Sequence, residues 1–80
     1  MAEIQFSIEK ELGVLGDGTK AWNKELNLVA WNGRQAKADI RDWNPSHEKM
    51  GKGITLTKGE LRALKGLLNA IDIDSLDIAE

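Results

Sequence analysis

Between residues 3 and 15, Ile4, Phe6 and Ile8 alternate with Gln5, Ser7 and Glu9, and Leu12 and Val14 keep the same parity past one interruption at Lys10. Alternation with period two marks a half-buried strand. We therefore expect a long first strand over 3–15, bent near Lys10 or Gly13. Gly16-Asp17-Gly18 is a turn signal, with the loop over 16–21. A second strand runs from Trp22 to Asn32, with Leu26, Leu28 and Ala30 on one face and Glu25, Asn27, Val29 and Trp31 on the other. Asn32-Gly33 is a hairpin signal, because both positions tolerate positive φ. A third strand follows over 36–43, where Ala36, Ala38 and Ile40 alternate with Lys37, Asp39, Arg41 and Trp43. Asn44-Pro45 opens a loop over 44–51, and Ile54 and Leu56 mark a short fourth strand.

After the strands the period changes. Thr57 followed by Glu60 is a capping box. Leu61, Leu64, Leu68 and Ile71, with Leu67 beside them, form one apolar helix stripe expected to face the sheet. Arg62, Lys65 and Asn69 fall opposite, and Gly66 costs the helix about 1 kcal/mol against alanine. Past Ile71, three readings stand: a continued helix, an edge strand, or an acidic and partly ordered end, which is favoured. The fold class expected is α+β, a four-stranded antiparallel meander followed by one C-terminal helix. Such a sheet commonly has one face packed and one open. The Leu26, Leu28, Ala38 and Ile40 face is expected to be the core. Trp22 and Lys24 share that parity, but a bulge at the strand's start would re-aim them.

Eighty residues make one domain, divided here into a folded part, 1–71, and an acidic tail, 72–80. A chain this short buries a modest core, and without cysteine no disulfide or thiolate metal site staples it. Homodimerisation is then the expected source of further burial. No apolar run reaches the length of a membrane span, and the N-terminus lacks a signal-peptide pattern, so no membrane partner and a cytoplasmic location are expected. The net charge of −2 hides an asymmetry. From Lys20 to Lys58 there are eight cations (Lys20, Lys24, Arg34, Lys37, Arg41, Lys49, Lys52, Lys58) against four acids (Glu25, Asp39, Asp42, Glu48), a local +4. The tail carries Asp72, Asp74, Asp77 and Glu80 with no cation. A locally basic sheet attracts polyanions even on an acidic chain.

The candidate chemistry lies on the polar face, where Trp31, Lys37, Arg41 and Trp43 fall together, with Lys24, Arg34 and Lys52 nearby. Single-stranded nucleic acid needs cations along its phosphates and flat side chains under its bases. The competing reading is that Trp31 and Trp43 fill a dimer interface or a second small core. His47, the only histidine, invites a triad reading with Ser46 and Asp39 or Asp42. No nucleophile elbow is present, and the expectation is a solvated loop histidine. Its carboxylate neighbours in sequence are too scattered for a metal site. Gly51-Lys52-Gly53 lacks Walker spacing. Neither enzyme activity, a metal nor a cofactor is expected.

The run Asp39-Ile40-Arg41-Asp42-Trp43, a loop, Gly51-Lys52-Gly53-Ile54-Thr55-Leu56-Thr57, and then Leu61 and Leu64 resembles the positive-cofactor-four (p15) transcriptional coactivator domain. The bacterial YdbC-like branch is more similar. It shares Lys24-Glu25-Leu26-Asn27 within the Trp22-to-Trp31 segment, and also the run from His47 through Glu48-Lys49-Met50 to Leu56. The resemblance covers roughly residues 4–70. It implies a homodimer that binds single-stranded DNA along its sheets with little sequence preference, in transcription regulation or in replication or repair. The family's strand-two aromatic falls on Trp31, its strand-three arginine on Arg41, the aromatic after it on Trp43, the lysine before the Gly-Ile pair on Lys52, and the cation after the strand-two turn on Arg34 or Lys37. The nucleic-acid residues expected in all are Trp22, Lys24, Asn27, Trp31, Arg34, Lys37, Arg41, Trp43, Lys49 and Lys52. Arg41, Lys37, Lys24 and Lys52 would meet phosphates, and Trp31, Trp43 and Trp22 would stack on bases. The Ser/Lys-rich N-terminal region of eukaryotic members has no counterpart here, so their regulated coactivation is not expected. The rival classes are an RNA-binding module and a protein-interaction module recruiting transcription or replication proteins.

Overall fold

The computed structural model describes residues 4–16 and 21–79. Strands β1 (Phe6–Val14), β2 (Asn23–Trp31), β3 (Lys37–Trp43) and β4 (Met50–Leu56) form one antiparallel sheet in the order β1-β2-β3-β4, and helix α1 (Lys58–Asn69) follows. The α+β meander read from the hydrophobic pattern is therefore the fold. The Gly16-Asp17-Gly18 turn falls mostly outside the described residues. Asn32 and Gly33 both have positive φ, and the Arg34 amide closes the turn on the Trp31 carbonyl at 2.9 Å. The loop nevertheless runs to Ala36, because the last pair of the β2–β3 ladder is Val29 with Lys37.

Register decides which side chains share a face, since directly opposed residues project together. Phe6 opposes Trp31, Ile8 opposes Val29 and Glu11 opposes Asn27. Asn27 opposes Asp39, Glu25 opposes Arg41, Arg41 opposes Gly53 and Asp39 opposes Thr55. All of these lie on the face that carries the indoles. The ladder slips between Ile8 and Lys10, between Glu11 and Gly13, and again between Arg41 and Trp43 on the β4 side. The first two slips fall at the bend expected near Lys10 or Gly13. Bulges increase twist and bend the strand that carries them.

The bending is large enough to reverse the expected core. Phe6 is level with Trp31, and Trp43 is level with Asn23, eight positions away along β2. In a flat strand that is about 26 Å. The Phe6 and Trp43 rings are 5.2 Å apart. The sheet is thus curled into a trough whose inner face is the indole face. Val29, Asn27, Asp39 and Trp43 are fully buried in it, and Glu25 nearly so. The leucine face, expected to be the core, is mostly half-covered: Leu26, Leu28 and Ile40 are intermediate, Ile54 is exposed, and only Ala38 is buried. A single curled layer can bury only its concave side.

The capping box at the start of α1 forms as expected, with the Thr57 hydroxyl accepting from the Glu60 amide at 3.2 Å and the Glu60 carboxylate accepting from the Thr57 amide at 2.9 Å. The leucine stripe does not seal against the sheet. Leu61 and Leu64 are partly covered, whereas Leu67, Leu68 and Ile71 are exposed. Beyond α1 the chain makes a 3-10 turn at Ile73–Ser75 with Ile73 and Leu76 exposed, so the segment neither continues the helix nor adds a strand. The radius of gyration, 14.3 Å, exceeds the roughly 12 Å of a compact 80-residue chain. None of the described helices is long and apolar enough to cross a membrane.

Candidate nucleic-acid interface

The trough is organised by one buried charge pair. Asp39 is fully buried, and Arg41, two residues along the same strand and therefore on the same face, reaches it with two nitrogens at 2.7 and 3.0 Å. The Thr55 hydroxyl, on the opposed strand, donates to the same carboxylate at 3.0 Å. A buried carboxylate is stable only when paired and hydrogen-bonded, and a two-pronged guanidinium contact does both. Arg41 also donates to the Gly51 carbonyl at 3.3 Å. Its guanidinium carbon then lies 4.8 Å from the centre of the Trp31 ring, a cation–π contact.

Gly53 makes this arrangement possible. A Cβ there would overlap the Arg41 Cβ and the Ile40 carbonyl oxygen, and would lie 2.8 Å from the Arg41 Cα. The Gly51-Lys52-Gly53 run is thus a place where two strands approach closely, which is one of the positional uses of glycine in a sheet.

The two indoles part company. Trp31 is half-buried at the trough's edge, between Phe6, whose ring centroid is 6.0 Å away, and the Arg41 guanidinium. Trp43 has no exposed surface and is packed between Phe6 and His47. The expectation that Trp43 lies open on the sheet is corrected: the curl that brings Phe6 across the trough covers it. Asn27 is likewise fully buried, with its amide nitrogen 3.1 Å from Glu25. Arg41 is mostly covered and bound to Asp39, so it is a fixed group rather than a free cation.

Lys37 is exposed on the same face as Trp31, and exposed Arg34 follows Trp31 in the turn. Lys49 and Lys52 are exposed on the loop and strand at the β4 side. Lys24 is exposed but opposes Asp42 on the leucine face, because no bulge re-aims it against β3. Trp22 precedes β2 and is 44% exposed. Lys37 thus shares a face with Trp31, whereas Arg34 lines a separate concavity with Gln5, Ser7, Glu9 and Ala30, and Lys24 lies on the leucine face.

At the other end sits His47, which is not the solvated loop histidine expected. It takes a positive φ of 59° and its Nε2 lies 2.8 Å from Glu25 and 3.9 Å from Glu11. Its ring is 5.7 Å from Trp43. Glu11, Glu25 and His47 each offer a ligand atom within 4.8 Å of the others. The separation of these residues in sequence hid the cluster, which exists only through the β1–β2 register and the return of the loop. Phe6 was missed as a site residue for the same reason. Its signal was its parity with Ile4 and Ile8, which says nothing of what lies across the trough. Buried polar atoms without a partner among the described residues are Asn27 Oδ1, Trp31 Nε1 and Trp43 Nε1.

Two comparisons bear on this geometry. An uncharacterised protein of Treponema pallidum (strain Nichols) is 42% identical over 72 residues, covering 90% of this chain and 85% of its own length. The family model described as Transcriptional Coactivator p15 (PC4) matches residues 19–67, from before β2 to within α1. That family is a nucleic-acid-binding, non-enzymatic one whose members bind single-stranded DNA in transcription-related roles. This chain belongs to the transcriptional coactivator p15 (PC4) family.

Proposed function

We propose that this chain binds single-stranded DNA as a homodimer, with little sequence preference, along the Trp31 edge of the trough. The observation that carries the reading is the platform formed by Trp31 over Arg41. Asp39 and Thr55 fix the guanidinium, the guanidinium holds the indole, and the indole keeps a surface for a base. Arg41 would act through Trp31 and as part of the local positive field. Lys37 and Arg34 would meet phosphates beside that base, and Lys49 and Lys52 would follow the strand along β4. Trp22, partly exposed, would be a second stacking surface. Trp43, Asn27 and Asp39 would support the platform from beneath, and Lys24 would meet nucleic acid only outside the trough.

Dimerisation is supported by what the single chain leaves open. Ile54 on the leucine face, Leu67, Leu68 and Ile71 on α1 and Ile73, Leu76 and Ile78 beyond it are all exposed. Exposed apolar side chains in this number support an interface when they adjoin one another. A partner's helix would complete the leucine face, and two troughs would then serve one strand or two. The folded part over 1–71 would carry the binding, with the acidic segment from 72 outside it. A bacterial YdbC-like assignment and a cytoplasmic, nucleoid-associated setting would fit this reading.

The testing experiment is a titration with fluorescein-labelled oligo-dT, matched oligo-U and a duplex of equal length. Tighter binding of oligo-dT than of duplex is expected, with Trp31→Ala weakened by about 1–3 kcal/mol. Preference for oligo-U would favour an RNA-binding module instead.

A further inference from the structure

We infer that Glu11, Glu25 and His47 form a binding site for a divalent transition ion of the zinc class, at the end of the trough remote from Trp31. One imidazole nitrogen and two carboxylate oxygens suit such an ion better than a hard, all-oxygen one. Metal–ligand bonds of about 2.0–2.2 Å in a tetrahedral shell put donor atoms roughly 3.3 Å apart. The His47 nitrogen is 2.8 Å from Glu25 and 3.9 Å from Glu11, values that straddle this separation. Glu11 is well exposed and free to close the difference, whereas Glu25 is held in place.

A second observation points to a ligand. Asn27 is fully buried and reaches the cluster by donating to Glu25 at 3.1 Å. It also opposes Glu11 in the β1–β2 ladder. Among the described residues its Oδ1 has no hydrogen-bond partner. A buried amide oxygen left without a donor is costly and calls for a specific cause. Two carboxylates here converge on a single imidazole, and the Asn27 amide donates to one of them. A metal ion held between the three groups would neutralise both carboxylates. Asn27 would then orient Glu25 as ligand-supporting groups do. The ion would tie the loop at His47 to β1 and β2, and so clamp the loop over Trp43.

The test titrates the full chain with Zn²⁺ by calorimetry and with Ni²⁺ by tryptophan fluorescence. Zn²⁺ is expected to bind at one ion per chain and raise the melting temperature, and Ni²⁺ to quench the indole 5.7 Å from the His47 ring. His47→Asn, which tolerates the positive φ, and Glu11→Gln, at an exposed position, should each lower affinity at least tenfold and reduce the quench. Circular dichroism of both variants checks that they are folded. No Zn²⁺ binding by the parent at millimolar ion overturns the inference. So does binding that both folded variants retain unchanged, which would place the ion elsewhere, such as on the acidic tail. In either case the cluster is an ordinary His47–Glu25 hydrogen bond.

Discussion

The rings of Phe6 and Trp43 are 5.2 Å apart although their strands are separated by β2 and their levels by eight residues. That contact is the signature of the curl, and it turns a face rich in charge into the interior of the chain. It also separates the two tryptophans that parity alone had placed together. Trp43→Ala is expected to destabilise the fold by about 3–5 kcal/mol, as for other buried aromatics. Trp31→Ala should cost less in chemical denaturation, because its ring keeps some exposed surface whereas Trp43 keeps none. Equal losses for the two would mean that the trough opens in solution.

Gly53 offers a sharper test of the same packing. Gly53→Ala has no room beside Arg41 and Ile40, and overpacking of this kind costs about 1–3 kcal/mol or more. Gly66→Ala has open space around it and should stabilise α1 by up to about 1 kcal/mol. Urea midpoints that move in opposite directions for the two substitutions are the expected result.

The strand order, the turns and the capped helix were legible because period and turn chemistry are local. Ile4 to Val14 carried even the bend, through the break in alternation at Lys10. Which face would be buried was not legible. Leu26, Leu28 and Ile40 read as core by hydrophobicity, and Glu25, Asn27, Asp39 and Arg41 read as surface. The side chains of a curled sheet cover one another on the concave side whatever their polarity, provided that their charges pair. Asp39 with Arg41 meets that condition, Glu25 is hydrogen-bonded to His47, and neither pairing is marked in the sequence. Of the candidate site, the shared face of Trp31 and Lys37 could be anticipated from parity. The burial of Trp43 could not, nor could the position of Lys24 away from the trough.

The open leucines predict assembly. Leu67→Asp places a charge on a side chain that is 63% exposed in the single chain, so a monomer would tolerate it. In a dimer closed through α1 it would bury an unpaired carboxylate. Sedimentation is expected to show a dimer for the parent and a shift to monomer for Leu67→Asp. A parent that stays monomeric at tens of micromolar would remove the dimer from the proposal.

Glu60 gives a pH dependence of definite sign. Hydrogen bonds from the Thr57 amide and hydroxyl hold its carboxylate below the ordinary range, with the Lys37 charge adding to them and desolvation opposing. A lowered folded value means a contribution that is fully present above the unfolded value. It is lost as pH falls through the folded one. The melting-temperature difference between the parent and Glu60→Gln should be constant near neutrality. It should shrink as pH drops below about 4.3, where an unperturbed glutamate protonates. A difference that grows on acidification would place Glu60 outside the cap.

The proposed function rests most directly on the affinity for oligo-dT measured across a salt series, with a duplex of equal length as the reference. Log affinity for the single strand should fall linearly with log salt, at about −0.7 per phosphate neutralised, and Lys37→Ala should flatten the slope by roughly one contact. Oligo-dT should bind tighter than duplex at every salt concentration, and Trp31→Ala should erase most of that difference. Equal affinity for duplex, or a parent whose binding ignores both salt and Trp31, would contradict a single-stranded-DNA site on this edge of the trough.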